Sequence, residues 1–390
     1  MVTEGANLRG YRAVIDRLGD PHSRQLIATP ALICDLGLLN ENITRMAQLA
    51  GSAGLSLRPH AKTHKSAFVA RLQLDAGARG LACAKLSEAE VIVERLATER
   101  DDPVSMLLTS PLVGAESAAR ALELAKCCDL VVVVDHEDGV AELARAAQSG
   151  ETTLQVLCDV DLGTGRTGVR DPESALGVAE RVAASPHLRF AGVQGYGGHL
   201  QHIAGRDERR AATIAATGRL VAVIDALESA GHTVELRTGG GTGTTGLDIE
   251  LGVLNELQPG SYVFMDREYR DALGDDVEGR FAQSLTIATT VISANHGGHV
   301  TTDAGLKAMA TDAGAPVIVG HEDDAVYDFG FGDEHGFVTN PPTTPFRRGD
   351  RLELVPPHCD PTVDRYDDIW LVEGDVVVGV IDVTARGCSQ

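Results

Sequence analysis

The segment Arg58-Pro59-His60-Ala61-Lys62-Thr63-His64-Lys65 closes a short apolar run and sets a lysine between two histidines. A primary amine in such a place can condense with a carbonyl group, which makes Lys62 a candidate to hold a carbonyl cofactor as a Schiff base. Far along the chain, His358-Cys359-Asp360 puts three metal-capable side chains in consecutive positions. Together the two segments suggest an enzyme that uses both an organic electron sink and a divalent cation.

A third segment, Arg237-Thr238-Gly239-Gly240-Gly241-Thr242-Gly243-Thr244, is suited to phosphate. Its glycines let the backbone approach closely, so that several N–H groups can converge on an anion. Two more polar segments, Asp159 to Gly168 and Gln194 to His199, contain Arg166 and Tyr196, candidates to contact a cofactor ring or its phenolic oxygen.

These segments can meet only if the intervening elements bring them to one place. Short β-rich apolar runs recur, each followed by a stretch with apolar residues at three- and four-residue steps. The runs Ala31 to Asp35, Leu55 to Pro59, Gly80 to Ala84, Ser105 to Thr109, Leu130 to Asp135, Leu154 to Val160, Phe190 to Gln194 and Val234 to Arg237 read as strands. Leu38 to Ala53, Ser87 to Ala97, Glu116 to Cys127 and Glu137 to Ala147 read as helices, and Ser87 with Glu90 as a capping box. Eight βα units predict a (β/α)8 TIM-type barrel, whose chemistry belongs at the carboxyl ends of its strands. An open doubly wound sheet is the competitor, but Leu36-Gly37-Leu38-Leu39 after the first run is no G-x-G-x-x-G turn. After about Asp266 the helical periodicity fades, and β-rich runs at Phe281 to Ser293, Pro316 to Val319, Arg351 to Val355 and Ile369 to Val383 predict a second, mainly β domain. The expected division is a barrel over 28–266, with 1–27 and 267–390 forming the β domain.

Composition agrees with an enzyme of this kind. Of 390 residues, 43% are apolar and 23% charged, and no apolar run reaches the roughly 20 residues of a spanning helix. Met1 to Gly10 has neither a basic start nor an apolar stretch, so a cytoplasmic protein without membrane association is expected. A net charge of −22 gives no overall footprint for nucleic acid. The seven cysteines lack any CxxC spacing and are expected to be reduced.

The chain resembles the D-threonine aldolase and D-serine dehydratase family of pyridoxal-phosphate enzymes, whose barrel is of the alanine-racemase kind. The resemblance rests on Thr29-Pro30-Ala31-Leu32, RPHAKTHK from Arg58, DVDLGTGRTGV from Asp159, QGYGGHLQH from Gln194, GGGTGT from Gly239, ELQPGSYVFMD from Glu256, TDAGLKA from Thr302 and PPHCDPTV from Pro356. It implies that Lys62, not Lys65, carries pyridoxal 5'-phosphate. The cofactor-binding set it implies is Lys62, His60, Arg166, Tyr196, Thr238, Gly240, Gly241, Thr242, Ser261 and Tyr262. The implied metal donors are His358 and Asp360, with Cys359 a bystander. Members with cysteine at the second ligand position look like zinc-using dehydratases, whereas aspartate goes with aldolases taking harder cations. Mn2+ or Mg2+ is therefore expected ahead of Co2+ or Zn2+. A homodimer is also implied.

The expected reaction is retro-aldol cleavage of a D-β-hydroxy-α-amino acid to glycine and an aldehyde or oxo acid, with a metal-bound water or His199 taking the β-hydroxyl proton. D-threonine, D-phenylserine and D-3-hydroxyaspartate share the reacting skeleton, and Arg58 or Arg267 would be candidates to hold a second carboxylate. Dehydration of D-serine or 3-hydroxyaspartate, releasing ammonia and a keto acid, is the alternative. A non-catalytic pyridoxal-phosphate carrier is a third reading, disfavoured by the extra domain bearing His358 and Asp360.

Overall fold

Runs such as Asp129–Val134, with four consecutive valines, are buried from Leu130 onward, as expected of parallel strands covered on both faces. The computed structural model describes residues 12–100, 102–150, 153–274 and 281–390; the Met1 to Gly10 segment lies outside them. In chain order the strands are β1 (Ala31–Asp35), β2 (Ser56–Leu57), β3 (Leu81–Cys83), β4 (Ser105–Leu108), β5 (Asp129–Val134), β6 (Leu154–Val160), β7 (Leu188–Gly195), β8 (Leu236–Gly239), β9 (Glu256–Leu257), β10 (Leu285–Ser293), β11 (His299–Thr302), β12 (Val317–Ile318), β13 (Tyr327–Asp328), β14 (Gly336–Thr339), β15 (Arg351–Val355), β16 (Asp368–Glu373) and β17 (Val376–Asp382).

Eight parallel strands form one sheet in the order β2-β9-β8-β7-β6-β5-β4-β3. Its two ends meet: Arg79 N donates to Leu57 O at 2.8 Å and Ala82 N to Pro59 O at 2.9 Å, closing the barrel. Alternation along the strands divides the core. Leu107, Val131, Val133 and Leu157 fill the barrel interior with Ala82, Ala191 and Leu236, while their neighbours Met106, Leu108, Val132 and Val134 join the layer under the helices. Helix Leu36–Ser52 shows how that layer is built. Asp35 caps it by accepting from Leu38 N at 2.9 Å, and Leu39, Ile43, Met46 and Ala50 form its buried stripe. Truncating Leu39, which is fully buried, should cost about 2–5 kcal/mol.

The barrel is the expected one, but one strand is exchanged. Ala31–Asp35, expected to open it, lies in the second sheet, antiparallel to β10 and parallel to β16. The missing barrel strand is β9, only two residues long, in register with β2 through Leu57 and Leu257. A run so short has no readable period, whereas Ala31–Asp35 reads as a strand in either sheet. The helix-start expectation also shifts: the carboxylate that serves Leu86–Ala97 is Glu88, not Glu90, accepting from Ala84 N and Lys85 N. The second sheet runs β13-β14-β11-β10-β1-β16-β17, with β15 and β12 added beside β10.

β2 and β9 lead into matching turns. Leu57 and Leu257, Pro59 and Pro259, then one-turn 3-10 helices at Ala61–Thr63 and Ser261–Val263, follow in step. Each turn ends on a left-handed non-glycine residue, Lys65 (φ 49°) or Met265 (φ 57°), and on a helix N-cap, Ser66 or Asp266.

Candidate active site

The Ala61–Thr63 turn lifts Lys62 into a cavity of about 260 Å³ at the carboxyl end of the barrel. His60, the N-cap of the turn, accepts from Lys62 N at 3.4 Å, and its Nε2 lies 3.1 Å from Thr109 Oγ1. Burial, then the neighbouring Lys62 cation, holds the His60 pKa down at about 3, so the ring is neutral. Arg166 stands 5.4 Å above the Tyr196 ring, and both line the cavity. Gly241, Thr242, Gly260, Ser261, Gln194 and Tyr269 complete much of the wall.

The β domain supplies the opposing group. Helix Cys359–Val363 carries Asp360 in its first turn, and Asp360 Oδ2 lies 2.6 Å from Lys62 Nζ. Ser261 Oγ donates to the other carboxylate oxygen at 3.2 Å. Burial alone would raise the pKa of Asp360, but Lys62 and His358 hold it well below the usual carboxylate range. Asp360 correspondingly raises the Lys62 ammonium, against the opposing effect of burial. His358 Nδ1 is paired with Asp312 Oδ2 at 2.6 Å, which directs Nε2 as the ring's remaining donor. Cys359 is fully buried, its Sγ 3.4 Å from Asp360 Oδ1.

The glycine-rich turn follows β8, and its shape explains its composition. A Cβ on Gly243 would stand 2.1 Å from Gln201 O, and one on Gly241 2.5 Å from Gln201 Oε1. Gln201 is buried and braces the turn by accepting from Gly243 N at 2.9 Å and donating to Gly197 O and Thr244 Oγ1.

The structure brings Lys62, His60, Arg166, Tyr196, Gly241, Thr242 and Ser261 to one cavity, with Asp360 in contact with Lys62 and His358 two residues before it in sequence. Other expected residues lie elsewhere. Thr238 is fully buried and hydrogen-bonds Glu256 and Gln258 within the barrel. Gly240 backs against Asp248, behind the turn, because its φ of +71° turns that side inward. The Tyr262 ring points into the core, where its hydroxyl accepts from Gln73 at 3.0 Å, and its N–H donates to Thr242. Arg58 is buried in an ion pair with Glu256, and Arg267 donates to Ala315 O, so neither lines the cavity. His199 is exposed and stands outside the lining, because the one-turn helix Gly198–Leu200 buries Leu200 instead.

His202 is likewise absent from the cavity lining, but it is half-buried beside the residues that wall it. It packs edge-on against Tyr269 at 4.5 Å and pairs through Nδ1 with Glu268 Oε1 at 2.9 Å. Its Nε2 is buried without a hydrogen-bond partner among the described residues, and the ring lies within the electrostatic reach of His358 and Asp360. Burial lowers its pKa, leaving a neutral ring that can accept a proton. The second histidine of Gln194–His202 was visible in the sequence, but nothing there distinguished it from the first.

Two chemical groups can be tested against these residues. A carbonyl cofactor with a phosphate fits: a lysine in the cavity, a stacked Arg–Tyr pair, and a glycine turn too tight for any Cβ. A divalent cation that keeps several waters also fits, since His358 and Asp360 are two suitable donors with Asp312 on the far ring nitrogen. Among the described residues no group of three or more His, Cys, Asp or Glu could hold an ion by itself.

The family model described as alanine racemase, N-terminal domain, matches residues 34–268, and a serine dehydratase domain matches 284–372. The chain is 37% identical over 367 residues to the 3-hydroxy-D-aspartate aldolase of Paracoccus denitrificans (strain Pd 1222), covering 93% of this chain and 92% of that one. It is 36% identical over 373 residues to the D-threonine aldolase of an Arthrobacter species, covering 95% and 96% respectively. The crystal structure of D-threonine aldolase from Filomicrobium marinum superimposes with a TM-score of 0.90 at 34% identity, covering 96% of this chain and 99% of that one.

Proposed function

The chain belongs to the alanine racemase-like family that includes D-threonine aldolase and 3-hydroxy-D-aspartate aldolase, and from that premise we propose that it cleaves D-β-hydroxy-α-amino acids to glycine and an aldehyde or oxo acid. It is a carbon–carbon lyase with a pyridoxal-phosphate barrel. The observation that carries the proposal is the 2.6 Å contact between Lys62 and Asp360, which joins the barrel's lysine to the β domain's carboxylate in one cavity.

Lys62 would hold the cofactor covalently, with Gly241, Thr242 and Ser261 at its phosphate and Arg166 and Tyr196 at its ring. When bound, pyridoxal phosphate supplies the sink for the electron pair released as Cα–Cβ breaks. His358 and Asp360 would hold the divalent ion, Mn2+ or Mg2+ ahead of Co2+ or Zn2+, which supplies Lewis acidity at the β-hydroxyl. His202, in place of the expected His199, takes the β-hydroxyl proton on its unpartnered Nε2. Glu268 holds the other nitrogen of that ring, fixing the tautomer in which Nε2 accepts. Tyr269 walls the cavity beside it and limits access of water.

The match of residues 284–372 to a serine dehydratase domain keeps dehydration as the second reading. Incubating the protein with D-threonine, D-phenylserine and D-3-hydroxyaspartate, with and without manganese, separates the two. Manganese-stimulated glycine supports the aldolase; ammonia without glycine moves the assignment to a dehydratase. The same reading takes the enzyme as a cytoplasmic homodimer, to be checked by sedimentation and cell fractionation. Among the described residues no helix is long and apolar enough to cross a membrane.

A further inference from the structure

The two matching turns after β2 and β9 end on the same object, the helix Cys359–Val363. Asp266, the N-cap after the second turn, accepts from Cys359 N at 2.8 Å and so holds the helix at its start. Lys65, closing the first turn, reaches Asp364 at the C-cap, with Nζ 2.8 Å from Oδ1. Lys65 also lies 3.6 Å from Glu88, whose carboxylate accepts from the Ala84 and Lys85 amides just ahead of helix Leu86–Ala97. One lysine thereby joins the cofactor turn, a barrel helix and the β-domain helix.

Its backbone makes this choice of residue unusual. Lys65 has φ 49°, in the left-handed region that disfavours side chains with a Cβ, and is 8% exposed. Glycine would adopt that conformation freely, yet glycine has no amine to reach Asp364. The backbone itself is already held without the side chain, by Lys65 N on Ala61 O at 2.8 Å and Ala385 N on Lys65 O at 2.8 Å. The ammonium therefore has a separate task.

We infer that Lys65 is a positioning residue that clamps the carboxyl end of helix Cys359–Val363 against the Lys62 turn, while Asp266 clamps its amino end, so that His358 and Asp360 are presented to the cation at a fixed distance from Lys62. This rests on the reading of His358 and Asp360 as metal donors. Neither Lys65 nor Asp266 touches substrate, cofactor or ion in this role. Loss of the clamp loosens the metal site and leaves the cofactor's attachment intact.

The test uses pyridoxal-phosphate-loaded enzyme titrated with Mn2+, free Mn2+ being read by its electron paramagnetic resonance signal and the cofactor by its visible band. Lys65→Gly removes the ammonium and suits the backbone. It should keep the visible band and raise the Mn2+ concentration for half-saturation by up to about 10-fold, the low end of the range for losing a direct partner of a metal ligand, since Lys65 acts one step further out. Asp364→Asn removes the same ion pair from the other side and serves if Lys65→Gly does not fold. It should give a similar shift, and the double variant should add little to either. Wild-type Mn2+ half-saturation in a folded variant would overturn the clamp. Asp360→Ala is the control for the underlying reading: if it binds Mn2+ as tightly as wild type, the metal-donor assignment fails and the clamp with it. If Asp360→Ala loses Mn2+ while Lys65→Gly and Asp364→Asn do not, only the clamp fails.

Discussion

Lys62 Nζ and Asp360 Oδ2 are 2.6 Å apart although they belong to different sheets' connections and to distant parts of the chain. Each is the other's main charged partner: Asp360 is the largest influence on the lysine, and Lys62 the first charge to offset the burial of the carboxylate. The pair places the amine that would hold the cofactor directly beside a group that would hold the metal.

Two substitutions separate charge from covalent chemistry at this position. Lys62→Ala should lose the visible cofactor band and nearly all activity. Lys62→Arg keeps a cation for Asp360 but cannot form the carbonyl bond, so it too should lack the band while melting closer to wild type than the alanine variant. Turnover retained by either would contradict the role of Lys62.

The two histidines of the His199-Leu200-Gln201-His202 segment should behave differently. His202→Gln is expected to lower kcat by about 10²–10⁴-fold, the usual contribution of a general base, with the visible band unchanged. His199→Gln should leave kcat near wild type, because that ring is exposed, whereas His202 is within electrostatic reach of His358 and Asp360. The opposite ranking in steady-state assays would return the base to His199.

Arg58 and Glu256 are 1% and 0% exposed and share an ion pair of 2.7 Å inside the barrel. Gly80 makes room for it, since a Cβ there would lie 2.7 Å from Arg58 Nη1. Arg58→Met strands a buried carboxylate and should cost about 3–5 kcal/mol in urea unfolding. If Arg58 instead held a substrate carboxylate, stability would be spared and KM for 3-hydroxyaspartate alone would rise.

Asp248 lies behind the glycine turn, accepting from Thr244 Oγ1 at 2.7 Å. Burial pushes its pKa up to about 7, against the opposing effect of the Thr244 and Gly241 donors. A carboxyl whose folded pKa exceeds its unfolded value of about 3.9 binds its proton more tightly when folded, so its contribution falls as pH rises from about 4 towards 7. Asp248→Asn should therefore melt above wild type at pH 8, with the difference vanishing near pH 4. Parallel melting curves across that range would show that burial does not shift this group.

Much of this was legible because barrel strands and helices carry strong periods. Leu36–Ser52 and Leu86–Ala97 fall close to where their apolar spacing put them. Lys62, Arg166 and Tyr196 follow strand ends, where a barrel concentrates its polar groups. What escaped depends on pairing at a distance. Ala31–Asp35 has the composition of any buried strand, and only its partners decide its sheet. Tyr262 and Ser261 are adjacent, yet a turn sends one ring to the core and one hydroxyl to Asp360. The placement of His202 depends on Tyr269 and Glu268, which no local pattern connects to it.

The placement of β1 between β10 and β16 also bears on how the molecule is made. A ribosome releases Ala31–Asp35 early, but its partners in register, Thr286 and Trp370 opposite Ile33, are synthesised much later. The barrel can close once Leu257 has emerged, while β1, four of whose five residues are buried in the finished fold, must wait for the last part of the chain. During that interval the nascent polypeptide presents an apolar, pairing-competent segment. The late capture of β1 is thus a step at which synthesis is open to aggregation and at which a chaperone would contribute.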